Sequence, residues 1–329
     1  MNEKKNKWLQ KAPHILFGVV VAVVFIVLLT KVFNFLDGDK LDFSDWIDDP
    51  DEIIYENSDY ILPLILEEGV TWEDDGELNV LCIGNHPFSD ERDSETNVCN
   101  MVAELTGANV INCSFPSSTL SSHEASYNPS AYLWDAFSFY HVAHTLCTGD
   151  MSVYDQFSEI LPVMPEGIPS PYDVFADVDM SKVDIIAIMY DGQDYLEARR
   201  VNNDDDPMSI TNYLGAFNTT IDMLQETFPH IRIIVMSPTY CYGVLGDGSY
   251  ISSDIQSYGN EFLSTFSIKL SEAAYQQSVS FVDNLYGTIH ENIASDYLST
   301  NINLNEKGRK LVAQRLAEAI NKYPNPIIH

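Results

Sequence analysis

Positive charge is what this sequence has least of. Its 329 residues carry 17 Lys and Arg against 49 Asp and Glu, a formal net charge of -32. Nucleic-acid binding needs clustered basic side chains to neutralise phosphates, so that class of partner is excluded. An anionic membrane surface repels most of the chain for the same reason. Cysteine is also sparse: Cys82, Cys99, Cys113, Cys147 and Cys241 are an odd number without a CxxC pair. That pattern predicts no disulfide framework and leaves one bridge outside the cell open. Internal repeats and low-complexity tracts are absent. With 45% hydrophobic and 12% aromatic residues, the chain can bury a sizeable core, which excludes disorder throughout.

Long apolar runs are limited to one, APHILFGVVVAVVFIVLLT, from Ala12 to Thr30. Its length suits a membrane-spanning helix, for which about 17 to 25 residues are needed. It exceeds the apolar core of a cleaved signal peptide, and no A-x-A-like site precedes Lys31. Lys4, Lys5, Lys7 and Lys11 stand before it, which keeps the N-terminus cytoplasmic and sends everything after Leu36 outside. The expected organisation is a basic cytoplasmic tail (1–11), a transmembrane anchor (12–30), an acidic juxtamembrane spacer (31–76), one domain (77–323) and a short tail (324–329). Trp46, Ile53, Ile54, Tyr55 and the run ILPLIL can pack on that domain, so part of the spacer is expected to be ordered.

From Leu78 onward apolar runs alternate with helical patterns, as in βα units around a parallel sheet. NVLCIG, NVINCS, VDIIAIMY, IRIIVMSP and VSFVD read as five strands. Helices are expected over Ser94–Thr106, within Ser130–Leu161, over Ile210–Phe228 and Ser253–Gln277, and after Asn305, which can cap the last of them. The fold class is a three-layer α/β sandwich with a five-stranded, mainly parallel sheet, flavodoxin-like, plus the N-terminal helix. Ligands of such sheets bind beyond the carboxyl ends of the strands. The informative segments are therefore the turns GNHPFSD, SFPSSTLSS, DGQDYLE and SPTYCYG, and the loop before LNEKG.

The order of those turns, with IRIIVMSPTY after strand four and NLNEKGRKLVAQRLAEAI at the end, resembles the SGNH/GDSL hydrolases over residues 77–323. The resemblance implies a nucleophilic serine after strand one, oxyanion donors after strands two and three, and an acid and a base before the last helix. Laid on this sequence, His86 falls on the serine, and Pro116 and Ser117 fall where an oxyanion glycine is expected. Gln193 falls on the oxyanion asparagine, with Asp191 on the preceding glycine and Asp194 beside it. Thr300 falls on the acid and Asn303 on the base. Pro116 has no N–H to donate. In serine hydrolases, losing one triad member costs roughly 10⁴ to 10⁶ in rate and one oxyanion donor a further ~10² to 10³. The family's mechanism therefore cannot operate here.

Two functional expectations follow. The first is a membrane-anchored extracellular binding or scaffold module for an ester- or glycan-type ligand, contacted by Gln193, Asp194, Asn303, Tyr240 and Tyr242. The second is an active esterase, deacetylase or acyltransferase on cell-surface polymers using a rearranged pair, Ser89 with His86, assisted by Asp90 or Asp194. The ordinary role of Ser89 or Asp90 is to cap the following helix. Ser114, Ser117 and Ser118 are further hydroxyls at the rim, in an ordinary serine-rich turn. His141, His144 and Cys147 share a helix side, but a fourth zinc ligand at motif spacing is missing, so no metal and no cofactor are expected. The Asn202–Asp206 loop lacks the calcium-loop spacing and its distal glutamate.

Overall fold

The computed structural model describes residues 57–72 and 75–327. The expected cytoplasmic tail, the anchor and most of the spacer lie outside the described residues. Among the described residues, no helix is long and apolar enough to cross a membrane.

Five strands form one sheet: β1 (Asn79–Gly84), β2 (Asn109–Ser114), β3 (Ile185–Met189), β4 (Arg232–Met236) and β7 (Ser280–Val282). They run β2-β1-β3-β4-β7, and every neighbouring pair is parallel. β1, β3 and β4 are buried along their whole length, which is why each reads as an unbroken apolar run. Around β1 the first two helices are α1 (His86–Ser89) and α2 (Val98–Thr106). After a 3₁₀ turn at Leu133–Phe137 come α3 (Phe139–Thr148), α4 (Ser152–Ile160), α5 (Pro171–Ala176) and α6 (Gln193–Leu196). The remaining helices are α7 (Tyr213–Thr227), α8 (Leu263–Gln276), α9 (Glu291–Tyr297) and α10 (Glu306–Lys322). α2 packs on α10, while α3 packs on α7 and α7 on α8, completing the layers.

Two expected helices start later than their periodicity implied. Asn97 accepts from Cys99 N at 2.9 Å and thereby sets the first turn of α2, so Ser94–Asn97 lie outside it. Residues 253–262 are not helical, because Gly259 and Asn260 adopt left-handed backbone angles of +60° and +70°. Ahead of them β5 (Tyr242–Val244) and β6 (Tyr250–Ser252) form an antiparallel hairpin that short strands concealed in the sequence. Asn305 caps α10 as expected, its side chain accepting from Gly308 N.

The segment 57–66 lines the outer edge of β7. Tyr60 and Phe281 exchange backbone hydrogen bonds of 3.1 and 2.9 Å, and Ile327 N donates to Leu64 O at 2.7 Å. Unpaired strand edges invite intermolecular pairing, and this strap occupies one. Further along, Trp72 Nε1 donates to Asp184 Oδ1. At the other end of the sheet, Gly84 permits the close approach that the site depends on. A Cβ there would stand 1.9 Å from Met189 O.

Candidate functional site

β1 lies between β2 and β3, so the turns after these three strands meet where the strand order reverses, the usual ligand position in such sheets. Asn85 and His86 leave β1 here. His86 Nδ1 lies 2.8 Å from Oδ2 of Asp191, the first residues of the turn after β3 carrying a carboxylate that is 1% exposed. Asp191 Oδ1 also accepts from Asn85 Nδ2 at 2.8 Å and from Gln193 N at 3.0 Å. Asn85 Oδ1 in turn accepts from Asp191 N at 2.9 Å. A buried carboxylate needs such donors to offset its lost hydration.

Ser117 N, in the turn after β2, donates to His86 Nε2 at 3.3 Å. This network assigns the imidazole proton to Nδ1 and the lone pair to Nε2. Burial opposes the charged ring, but the hydrogen bond and charge of Asp191, with the charge of Asp90, outweigh it and raise the His86 pKa above its ordinary 6.5. Ser117 has a left-handed φ of +59°, the conformation a glycine adopts most easily, which aims its N–H inward.

The remaining expected positions are also committed to protein partners. Asn303 Nδ2 donates to Asp90 Oδ2 at 2.7 Å, and Thr300 Oγ1 donates to Asn303 Oδ1 at 2.9 Å. Burial raises the Asp90 pKa against the opposing effects of Asn303 and His86. The Gln193 side-chain amide is turned onto Glu197 Oε1 at 2.9 Å. Pro116 offers only its ring and carbonyl.

Several expectations are corrected by these positions. Ser89 is buried and its hydroxyl has no partner, so the Ser89–His86 pair is not formed: both imidazole nitrogens are already engaged. Neither Ser89 nor Asp90 caps the next helix, a role Asn97 fills. Asp194 does not face the cleft. It lies in the core, where it accepts from Leu120 N at 2.7 Å and Ser121 Oγ at 2.5 Å, and burial pushes its pKa up to about 6. Tyr240 is likewise buried, its hydroxyl 2.7 Å from Ser252 Oγ, while Tyr242 stays half-exposed. Ser114 and Ser118 are buried. His141 is held in ring contact with Tyr127, burial pushing its pKa down to about 4, and Cys147 Sγ faces Met223 O. Among the described residues, no three His, Cys, Asp or Glu side chains converge on a metal position.

Two groups escaped the sequence. Asp191 stood only for a missing glycine, although a carboxylate at the end of an apolar strand is a signal that something must satisfy it. His123 lies between Asp135 Oδ1 at 2.6 Å and Glu197 Oε2 at 3.1 Å, stacked on Tyr132. Burial opposes its charge, but those two carboxylates raise its pKa to about 9.

No protein-family model matches this sequence, and no curated protein matches it. Solved structures do. A protein from Lactobacillus plantarum superposes with a TM-score of 0.52 at 12% identity, over 74% of this chain and 96% of its own. A possible lipase from Chitinophaga pinensis gives 0.48 at 12% identity, over 75% of this chain and 98% of that one. A carbohydrate acetylesterase from Sinorhizobium meliloti gives 0.41 at 14% identity, over 75% and 99%. At such identities the likeness is one of fold alone: the chain shares the overall α/β fold of the Lactobacillus plantarum protein.

Proposed function

We propose that this SGNH-hydrolase-like chain is a membrane-anchored, outward-facing binding or scaffold module for an ester- or glycan-type ligand, without the family's reaction. One observation carries the reading: each group at a catalytic position is engaged by another protein group. The residue on the nucleophile position, His86, takes up the Ser117 N–H that an oxyanion would need. The residue on the base position, Asn303, is a neutral amide bound to Asp90, and Gln193 is bound to Glu197. A tetrahedral intermediate requires free, aimed donors and a nucleophile next to a base. The apolar run 12–30 with its preceding lysines supports the anchor and its orientation.

The purified full chain in detergent micelles is expected to show no turnover of p-nitrophenyl acetate above buffer, and no labelling by a serine-reactive fluorophosphonate. His86→Ser alone is expected to create no activity, because acid and base are still missing. A second reading, an esterase or acyltransferase on surface polymers, is favoured by the His86–Asp191 pair, since a buried carboxylate on Nδ1 orients a base. Its exposed hydroxyl is Ser117 rather than Ser89. Fluorophosphonate labelling that disappears in His86→Ala is the outcome that selects it.

A further inference from the structure

If the turn residues are spent on one another, affinity has to come from unspent groups on the same rim. The hairpin β5–β6 supplies them. It is joined to the turn that carries Thr300 and Asn303: Tyr242 N donates to Asn301 O at 2.7 Å, and Asn301 Nδ2 donates to Tyr242 O at 3.2 Å. Three tyrosines run outward along it. Tyr240 is buried and held by Ser252, and it meets Tyr242 edge-on with ring centroids 5.2 Å apart. Tyr242 stacks on Tyr250 at 5.8 Å and 12°, and Tyr250 is 55% exposed. A ring anchored from the core loses little freedom on binding, so its contact area is available at low entropic cost.

Charge narrows the ligand class. Glu291 is near enough to Tyr240, Tyr242 and Asp254 for its charge to oppose their ionisation. Together with a net charge of -32, these carboxylates repel phosphates, uronates and other anions. A flat aromatic face beside carboxyl acceptors suits a molecule with apolar C–H faces and hydroxyl edges. We propose that the Tyr242–Tyr250 pair is a binding face for an uncharged oligosaccharide. This deepens, and rests on, the binding reading above.

The test is calorimetric titration of the full chain in detergent micelles. The probes are the neutral hexasaccharides of glucose and of N-acetylglucosamine, with hexagalacturonate as the anionic comparison. At least one neutral probe is expected to bind. Tyr250→Ala and Tyr242→Ala are expected to weaken it about tenfold or more, the equivalent of one lost aromatic contact. Tyr250→Phe keeps the ring and is expected to stay within about threefold. Tyr172→Ala, at a 39% exposed tyrosine on α5, is expected to change nothing. Failure of both neutral probes, or hexagalacturonate binding equally well, overturns the proposal. Neutral binding that survives both tyrosine variants but is lost in His86→Ala or Asn303→Ala overturns it and leaves the binding reading intact. Ester turnover lost in His86→Ala overturns the binding reading itself.

Discussion

His86 and Asp191 show how two turns build one site. A serine after β1 would need a base; a histidine in its place needs a counter-charge, and Asp191 on the adjacent strand end supplies it at 2.8 Å. Removing only the carboxylate leaves Asn85 and the His86 N–H facing a buried void. Asp191→Ala is therefore expected to cost about 3 to 5 kcal/mol of stability, read as a lowered urea midpoint. His123 offers a pH-dependent counterpart. Its pKa rises from 6.5 to about 9 on folding, so its contribution is complete below pH 6.5 and is lost as pH rises through 9. Asp194, raised to about 6, has finished titrating before that window closes. The His123 share of the unfolding free energy is expected to fall by about 1 to 2 kcal/mol between pH 6.5 and 9.5, allowing for solvent screening, and His123→Gln is expected to remove that share while leaving the smaller slope of the same sign from His86. Neither pair was legible in the sequence. Each joins residues from different turns, and which turns face each other depends on strand order, which no local pattern encodes.

At the scale of elements, much more was readable. All five strands of the main sheet were visible; β1, β3 and β4 read as unbroken apolar runs because a strand covered on both faces has no polar side to interrupt it, whereas the edge strand β2 is exposed at Asn109 and only half-buried to Asn112. The Asn305 cap was visible for a local reason too: its acceptor sits three residues from the N–H it satisfies. The β5–β6 hairpin was hidden by its three-residue strands, too short to display alternation; Tyr242 stood among the expected ligand contacts, but Tyr250, which the hairpin brings beside it, went unseen. The strap over β7 falls between these cases. ILPLIL announced an apolar segment, but its destination is set by long-range pairing. Tyr60 is its main anchor: the ring stacks on Phe281 at 5.7 Å and the hydroxyl donates to Ser271 O at 2.6 Å. Tyr60→Ala is expected to cost about 2 to 3 kcal/mol, since the ring is only partly buried. Opening the β7 edge is also expected to promote self-association, measurable by light scattering at a denaturant concentration below the unfolding midpoint.

For the whole molecule, charge and hydrophobicity are segregated along the chain in a way that argues for a fixed orientation. Four lysines and one glutamate lie within residues 1–11, an uncharged apolar run follows, and nearly all of the acidic residues come after it. Basic flanks are retained on the cytoplasmic side, whereas acidic domains cross with little penalty from their charge. A domain of this charge is repelled by an anionic bilayer surface, so under the proposed reading it is the apolar run that would hold the chain at a membrane. Full-length chain is accordingly expected in the membrane fraction and to resist extraction by 1 M salt and by carbonate, while a chain starting at Asp37 is expected in the soluble fraction. Protease added to intact cells is expected to degrade the part beyond residue 37 and to spare an epitope placed before Lys4. A protected C-terminal part, or a full-length chain released by salt, would show that the run does not anchor the protein and that the cleft does not face outward.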